Sequence, residues 1–487
     1  MLGRRLPPPP DLVIALKDLP PPPAHPFYER LNTLLDEAGF EPFVEDLCRP
    51  YYVEGFGRPG VPPGVYFRML FFGYFEGLDS QRAIAWRCAD SRSAQAFLGL
   101  PQHQATPDHS SLSKIRQRLP DRVHERVFVF VLKLAEDKGL LPGPTVGVDA
   151  TFLEANASMK TIVRRDSGDD WKEYLRKLTA EAGIANPTDE ELRRFDRQRA
   201  DKKVSNEDWM SPTDPDSKIA KMKDGTTHLA YKAEHVVDLK TELVLAAEVY
   251  PGDQPDSATL LESVVSAQVK LMEAESGLAL EELAAQPKAA ITALTAIEEV
   301  ATDKGYHKAE TLASCDAAGL RTYTPEKHCS RKRVWTDKPP EWERAYRNNR
   351  RRVSGRRSKR LQKLRSEKVE RSFAHVCETG GGRRSWLRGL LKVGTRYRMQ
   401  VAGHNLGIIM RWVFGKGTPR SLQGHRAVVW AWLWGWQLAA GSWQRTWLHV
   451  GPAGSANWGW QGGRVVSKSS HFATTDVAES LTFSTGC

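Results

Sequence analysis

Three acidic residues of this sequence are candidates for holding divalent metal ions. Asp149 and Asp303 each come near the end of a predicted strand, and Glu370 lies on a predicted helix. A carboxylate at the end of a buried strand is costly unless it is paired or bound to metal. Two Mg²⁺ ions held about 3.5–4 Å apart stabilise charge on the attacking and leaving oxygens of a phosphodiester, and Mg²⁺ prefers such oxygen ligands. The three acids therefore favour metal-dependent phosphodiester chemistry.

Spacing alone leaves other acids open as ligands. Glu298 and Glu299 lie on the same predicted strand as the second aspartate, and Glu367 and Glu378 lie close to the glutamate. An aspartate after a strand also commonly serves as a turn or cap residue. From the residues alone, the choice among these acids stays open.

Histidines near the candidate acids suggest two further roles. His228, His235 and His307 lack the close helical spacing of a zinc site, so zinc is disfavoured. His235 and Asp238 end a predicted strand, and His375 follows the predicted glutamate. We assign these last three a supporting role beside the metal ligands.

Positive charge is concentrated in one segment of the 487-residue chain. The formal net charge is +11, while residues 331–371 contain 17 Lys and Arg against 5 Asp and Glu, a net charge of +12. Each cation that faces a phosphate releases condensed counterions, so this basic segment predicts a polyanionic partner. The alternative is a solvated, charged helical face.

The cysteine content and the hydropathy pattern favour a cytoplasmic protein. Six cysteines without a C-x-x-C pair indicate a reducing compartment, and no signal peptide is recognised. The apolar stretch 427–443 is shorter than the about 20 residues of a membrane span, so no membrane partner is expected.

The chain divides into segments of different composition. Residues 27–135 read as short helices with tight turns, which fit a helix-turn-helix-like DNA-binding unit and equally any small helical bundle. A cap at Asp108 or Ser110 would begin one of these helices. The other predicted segments are a Pro-rich arm at 1–26, a catalytic domain at 140–415 with a charged insertion at about 157–227, and a Trp-rich tail of unclear order at 416–487.

The predicted order of elements in the second half indicates a mixed α/β architecture. Predicted strands lie at 145–155, 228–238, 242–250, 296–303 and 321–326. Predicted helices follow at 257–275, 308–318, 355–377 and 385–415, and two short ones lie in the insertion. This order is compatible with a ribonuclease-H-like sheet with flanking helices, preceded by an all-helical N-terminal domain.

Several linked motifs carry a family resemblance. The segments "VGVDATFLEANASMKTIVRRDSGDDWKEYLRKL", "DPDSKIAKMKDGTTHLAYKAEHVVDLKTELV", "ATDKGYHKAETL" and "VERSFAHVCETGGGRRSWLRG" resemble a bacterial insertion-sequence transposase of the DDE class. The N-terminal "FLGLPQHQATPDHSSLSKIRQRL" is similar to the N-terminal domain of the same proteins, and the likeness spans about 27–425. It implies that Asp149, Asp303 and Glu370 are the catalytic D, D and E.

The resemblance also implies a cofactor and partners. We expect two Mg²⁺ ions, with Mn²⁺ as a possible substitute, and a homodimer acting on double-stranded DNA. Water attack at the terminal inverted repeats would free a 3′-OH, which then attacks target DNA. The alternatives are a catalytically inactive or repurposed DNA-binding protein, and a stand-alone ribonuclease-H-like nuclease.

One departure from the family pattern concerns the neighbours of the glutamate. Related transposases often carry Tyr and Arg before it and Lys after it, where this chain has Lys363, Ser366 and Cys377. Phosphate contacts must then come from other cations. The predicted DNA-binding residues are Lys304, Arg351, Arg352, Arg356, Arg357, Lys363, Arg365, Arg371, Arg383 and Arg384.

Overall fold

A computed structural model describes most of the chain between residues 25 and 420. The described residues are 25–53, 60–101, 103–140, 142–184, 186–199, 205–222, 225–286, 296–327 and 334–420. The predicted Pro-rich arm, except for its last two residues, and nearly all of the predicted Trp-rich tail, including 427–443, lie outside them. None of the helices in the described part is long and apolar enough to cross a membrane.

The first described segments are helical. Their helices are α1 (Pro26–Glu37), α2 (Phe40–Cys48), α3 (Pro63–Glu76), α4 (Gln81–Asp90), α5 (Arg92–Phe97), α6 (His109–Arg118) and α7 (Asp121–Asp137). Of the two predicted caps, Asp108 begins α6, because its carboxylate accepts hydrogen bonds from the amides of Ser110 and Ser111. Helix α3 is apolar on nearly all sides and is buried along its length, which identifies it as the central helix of this region.

A mixed sheet forms the second half of the described chain. Its strands are β1 (Thr145–Glu154), β4 (Lys218–Lys221), β5 (Thr227–Asp238), β6 (Val244–Pro251), β7 (Glu299–Ala301) and β8 (Arg321–Tyr323), and a separate pair consists of β2 (Val163–Arg164) and β3 (Trp209–Met210). The order is β4-β5-β1-β7-β8, and β6 also pairs with β5. Strand β1 runs antiparallel to β5 and parallel to β7, which in turn is parallel to β8.

Helices cover the sheet. They are α8 (Trp171–Glu181), α9 (Asp189–Gln198), α10 (Asp256–Ser276), α11 (Leu280–Ala284), α12 (Ala309–Ala317), α13 (Pro340–Val353), α14 (Arg356–Phe373) and α15 (Leu390–Phe414). Helix α10 packs on β5 and β6, α14 packs on β1, and α15 packs on β6 and on helices α3 and α7. Because α15 contacts both regions, one continuous hydrophobic core extends from the first helices to the sheet.

The side chains of β1 alternate between the two faces of the sheet. Val146 and Val148 are fully buried on one side, while Gly147 and Asp149 face α14 on the other. A side chain at Gly147 would meet Arg365 and Val369 of α14 at 3.1 Å, so glycine permits the close approach of helix and strand. This approach positions α14 over the part of β1 that contains Gly147 and Asp149.

Several predicted elements are confirmed, with shifted ends. The two helices expected in the charged insertion are α8 and α9, and each begins with a capping box. The strand predicted at 296–303 is only β7, since Asp303 begins a short 3₁₀ turn. The helix predicted at 355–377 ends as an α-helix at Phe373 and continues as one π-helical segment, Ala374–Thr379.

Candidate active site

Asp149 lies in the middle of β1 and not near its end as predicted, while Asp303 comes two residues after the end of the adjacent parallel strand β7. Strands β1 and β7 pair through Gly147 and Ala301, and the same register continued two residues further brings the two aspartates level. The negative charge of Asp303 raises the pKa of the Asp149 carboxyl group. The structure therefore brings together two of the three acids predicted from the sequence.

Asp149 is held by one cation and one backbone amide. Nη1 of Arg365 donates to its Oδ2 at 2.6 Å, and the amide of Ala150 donates to its Oδ1 at 2.8 Å. Burial raises the pKa of Asp149 above its usual range, Arg365 and Ala150 oppose that rise, and Asp303 adds to it. A half-buried carboxylate beside a second one calls for a positive charge, and Arg365 supplies it here.

Asp303 is fixed by the turn that follows it. Its Oδ1 accepts a hydrogen bond from the amide of Gly305 at 2.7 Å, which makes it the cap of the short helix Lys304–Tyr306. Tyr306 is fully buried, and its hydroxyl donates to Glu234 at 2.8 Å. Tyr306 therefore anchors this turn from inside the fold.

A buried charged network behind the turn was not identified from the sequence. Glu234 and Lys232 on β5 are almost completely buried, and both contact the hydroxyl of Thr259 on α10. Lys232 also lies 3.4 Å from Asp256 at the start of that helix. The sequence could have indicated this network through Lys232 and Glu234, two opposite charges in the middle of a predicted strand. Such residues are rarely buried unless they are paired.

Glu370 is on the helix predicted for it but not beside the two aspartates. It is exposed on α14 and accepts a hydrogen bond from Ser366 at 2.9 Å. Arg365 and Val369 face β1, and a turn of about 100° per residue points Glu370 away from that contact. In the described part of the chain, no three His, Cys, Asp or Glu side chains are grouped to hold a metal ion.

The three residues predicted to support the metal ligands form hydrogen bonds and ring contacts with other groups, although His235 is the register partner of Asp149 in the β1–β5 pair. His235 is fully buried between Ser372 and Tyr397, each 2.8 Å from one ring nitrogen, and burial holds its pKa well below the usual range. Asp238 accepts amide hydrogen bonds at the β5–β6 turn, and His375 stacks on a second histidine. The contacts of all three in this structure are structural.

Many of the predicted DNA-binding cations are bound within the protein. Arg357 pairs with Glu299, Arg371 with Glu242, and Arg383 with Glu378. Arg352 donates to a backbone carbonyl, and Arg351 donates to Asn348. Arg384 lies over the ring of Trp386, and Arg365 contacts Asp149 as described above.

Other cations on α14 are exposed and have no carboxylate partner within the described residues. Among the predicted DNA contacts these are Arg356 and Lys363, and Lys304 is also exposed. Lys359 and Arg360 on the same helix are exposed as well, although they were not among the predicted contacts. Arg356, Arg360 and Lys363 share one helix face because they are four and three residues apart.

A cleft of about 370 Å³ opens along the end of β1 beside Asp149. Its lining includes Thr151 and Glu154 of β1 together with Lys232, Asp256 and Arg383. Arg383 donates to the hydroxyl of Thr151 and to a carbonyl of β1. The cleft therefore combines two cations and two acids and runs along the half of β1 that follows Asp149.

Two family models match separate segments of the chain. Residues 15–118 match "Transposase domain (DUF772)", and residues 294–410 match "Transposase DDE domain". The two matches support a transposase. The second match includes Asp303 and Glu370 but begins well after Asp149. No curated protein and no solved structure matches the chain.

The donor set of this candidate transposase site fits a divalent metal ion in part. Asp149 and Asp303 offer hard oxygen ligands side by side, which suits Mg²⁺. Arg365 already neutralises Asp149 in this structure by donating to its Oδ2. The position of Glu370 leaves the third expected ligand outside the pair.

Proposed function

We propose that this chain is a DNA transposase of the DDE type that cuts the ends of its own element and joins them to target DNA. The adjacency of Asp149 within β1 and Asp303 just after the parallel strand β7 is the observation that carries this proposal. The two transposase matches support it from independent segments of the sequence.

The sheet supports a ribonuclease-H-like catalytic domain. The described sheet is mixed, as we expected for this fold, since β1 is antiparallel to β5 on one side and parallel to β7 on the other. The N-terminal helices α1–α7 would contribute to DNA binding, and the exposed cations of α14 would face the phosphates.

In the proposed mechanism, Asp149 and Asp303 would hold the metal ions, and Glu370 would complete the ligand set. The ions, when bound, stabilise the charge on the attacking and leaving oxygens of the phosphodiester. Arg365 must leave Asp149 for that ligand set to form, and a DNA phosphate is a competing anion for its guanidinium group. Lys232, Glu234 and Tyr306 keep the Asp303 turn in place throughout.

Cleavage and joining assays test this proposal. DNA flanking the gene on both sides would be placed on a plasmid and incubated with the full-length chain and Mg²⁺. We expect cut ends with free 3′-OH groups and joined products, and we expect Asp149→Asn and Asp303→Asn each to lower cleavage by at least about 10²-fold while DNA binding persists. Asp166→Asn, at an exposed position of the insertion, is the matched control and should retain activity.

Full activity of either aspartate variant would reject the assignment. Cleavage without any joined product would indicate a stand-alone nuclease instead. A DNA-binding protein without catalysis is the second candidate, and the separate position of Glu370 favours it. In that case the wild-type chain binds the same DNA, yields no Mg²⁺-dependent product, and is unaffected by Glu370→Gln.

A further inference from the structure

A second cavity lies away from the candidate metal site, between the N-terminal helices and α15. Its volume is about 420 Å³, which falls within the range of about 300–1,000 Å³ common for small-molecule sites. Its walls come from α3, α4, α6 and α15 together with Trp386 and Leu387. The aspartates of the candidate active site are not among its lining residues.

The charge of this cavity is strongly unbalanced. Three arginines, Arg82, Arg116 and Arg396, line it, and Asp79 is the one acid among its described lining residues. Asp79 already accepts a hydrogen bond from the indole of Trp386 at 2.9 Å. Burial lowers the pKa of Arg396 to about 10, Asp79 counteracts this, and the charge of Arg116 lowers it further. The cavity therefore lacks negative charge.

Two polar side chains in the lining have unused hydrogen-bonding atoms. Nε and Nη1 of Arg116 are buried and have no partner within the described residues. Gln400 is only 6% exposed, and its Oε1 is likewise buried without a partner there, although its amide nitrogen donates to Gly380. Leaving such groups unpaired costs about 1–3 kcal/mol each, and more when the group is charged.

The remaining walls are apolar or aromatic. Leu70, Ile84, Leu387 and Met399 provide hydrocarbon surface, and Trp386 is half-exposed in the lining. A ligand that satisfies all these groups needs an anionic part for Arg116, a hydrogen-bond donor for Gln400 and a flat apolar body. A nucleotide has all three parts, since its phosphate is anionic and its base is planar with donor groups at the edge.

We propose that this cavity is a nucleotide-binding site in which Arg116 binds the phosphate and Gln400 accepts a hydrogen bond from the base. The ligand is a nucleoside monophosphate unit, either as a free nucleotide or as the 5′-terminal unit of a DNA strand. The site does not depend on the proposed metal ligands, so it stands or falls separately from the proposed transposase activity.

Calorimetric titration of the full-length chain without metal tests the site. The probes are dAMP, dTMP, inorganic phosphate, and a short single-stranded oligonucleotide with or without a 5′-phosphate. We expect saturable binding of a mononucleotide or of the 5′-phosphorylated oligonucleotide, and much weaker binding of inorganic phosphate. Preference for the oligonucleotide identifies a strand end as the source, and preference for the mononucleotide identifies a free nucleotide.

Substitutions locate the binding. Arg116→Gln should weaken it about tenfold or more, because a hydrogen bond to a charged group contributes about 1.5–3 kcal/mol. Arg82→Gln, at an exposed lining position, should weaken nucleotide binding less than Arg116→Gln does. It keeps the test valid if Arg116→Gln fails to fold. Lys114→Gln, exposed on the same helix α6 and outside the lining, is the control and should bind as the wild type does.

Three results would overturn the proposal. They are no saturable binding of any nucleotide probe to the wild-type chain, equal affinity for inorganic phosphate and nucleotide, and unchanged binding in folded Arg116→Gln.

Discussion

At the scale of single residues, the main feature is the competition for Asp149. Its carboxylate is half-buried beside Asp303, and Arg365 donates to its Oδ2. A guanidinium group and a divalent ion are alternative ways to neutralise the same pair of acids. In this structure Arg365, rather than a metal ion, neutralises Asp149.

We expect Arg365→Gln to tighten Mn²⁺ binding to the full-length chain about tenfold or more. The reason is that the ion no longer displaces a charge-assisted hydrogen bond contributing about 1.5–3 kcal/mol. Titration of Mn²⁺ followed by electron paramagnetic resonance measures this without any DNA. Arg371→Gln, which removes a similar cation of α14 paired with Glu242, should leave Mn²⁺ affinity unchanged. Equal Mn²⁺ affinities in Arg365→Gln and wild type would contradict the competition.

At the scale of elements, helix α15 connects the N-terminal helices to the sheet. It contacts α3 and α7 on one side and β6 on the other. Gly403 permits the closest approach to α3, since a Cβ atom there would lie 2.7 Å from the ring of Tyr74. Gly394 on the same helix has only an ordinary contact, with Val249 at 3.8 Å.

These two glycines give a matched pair of substitutions. Gly403→Ala should lower the free energy of unfolding by about 1–3 kcal/mol, because the added methyl group overpacks the contact between α3 and α15. Gly394→Ala should raise it by about 0.5–1 kcal/mol, because alanine has the higher helix propensity. Urea unfolding followed by circular dichroism measures both. A stabilised Gly403→Ala would show that α3 and α15 are not packed as described.

At the scale of the whole molecule, the continuous core holds neutral histidines between its helices. Burial lowers the pKa of His124 to about 4 and that of His404 to about 3. His124 contacts the hydroxyl of Tyr66, and His404 contacts that of Tyr74. Both tyrosines lie on α3, so each histidine packs against that helix. In the folded protein these two imidazole rings therefore stay neutral at pH values where the unfolded chain would protonate them.

Acidification should consequently destabilise the fold. Below the usual histidine pKa of about 6.5 the unfolded chain binds protons that the folded chain does not, so the contribution of each histidine is complete above about pH 7. This stabilising contribution decreases as the pH falls towards the pKa values of the folded protein, about 4 for His124 and about 3 for His404. Each histidine adds at most about 1.4 kcal/mol per pH unit to this slope.

Urea unfolding at pH 7.5 and 5.5 tests the pH dependence. His124→Gln and His404→Gln should each show a smaller loss of stability between the two pH values than the wild type. His109→Gln, at a half-exposed position of α6, should keep the wild-type difference. Identical pH differences in all four proteins would mean that the buried rings do not control the acid sensitivity.

The sequence alone determined the features that depend on neighbouring residues. The strand predicted at 145–155 is β1, those predicted at 228–238 and 242–250 are β5 and β6, and of the two predicted caps Asp108 begins α6. The two aspartates that the sequence placed near strand ends are adjacent because β1 pairs with β7, although Asp149 lies within β1. Periodicity and capping act over a few residues, so they are readable in one dimension.

Only the tertiary structure decided which side chains meet across long separations. Arg365 is 216 residues from Asp149, and the sequence offered it only as a phosphate contact. The rotation of α14 on β1 directs Arg365 to Asp149 and Glu370 to the surface, while α15 packs on α3 and lines the cavity around Arg116 together with α6. Helix rotation and interhelical packing depend on contacts between distant segments, and those contacts leave no local spacing to detect.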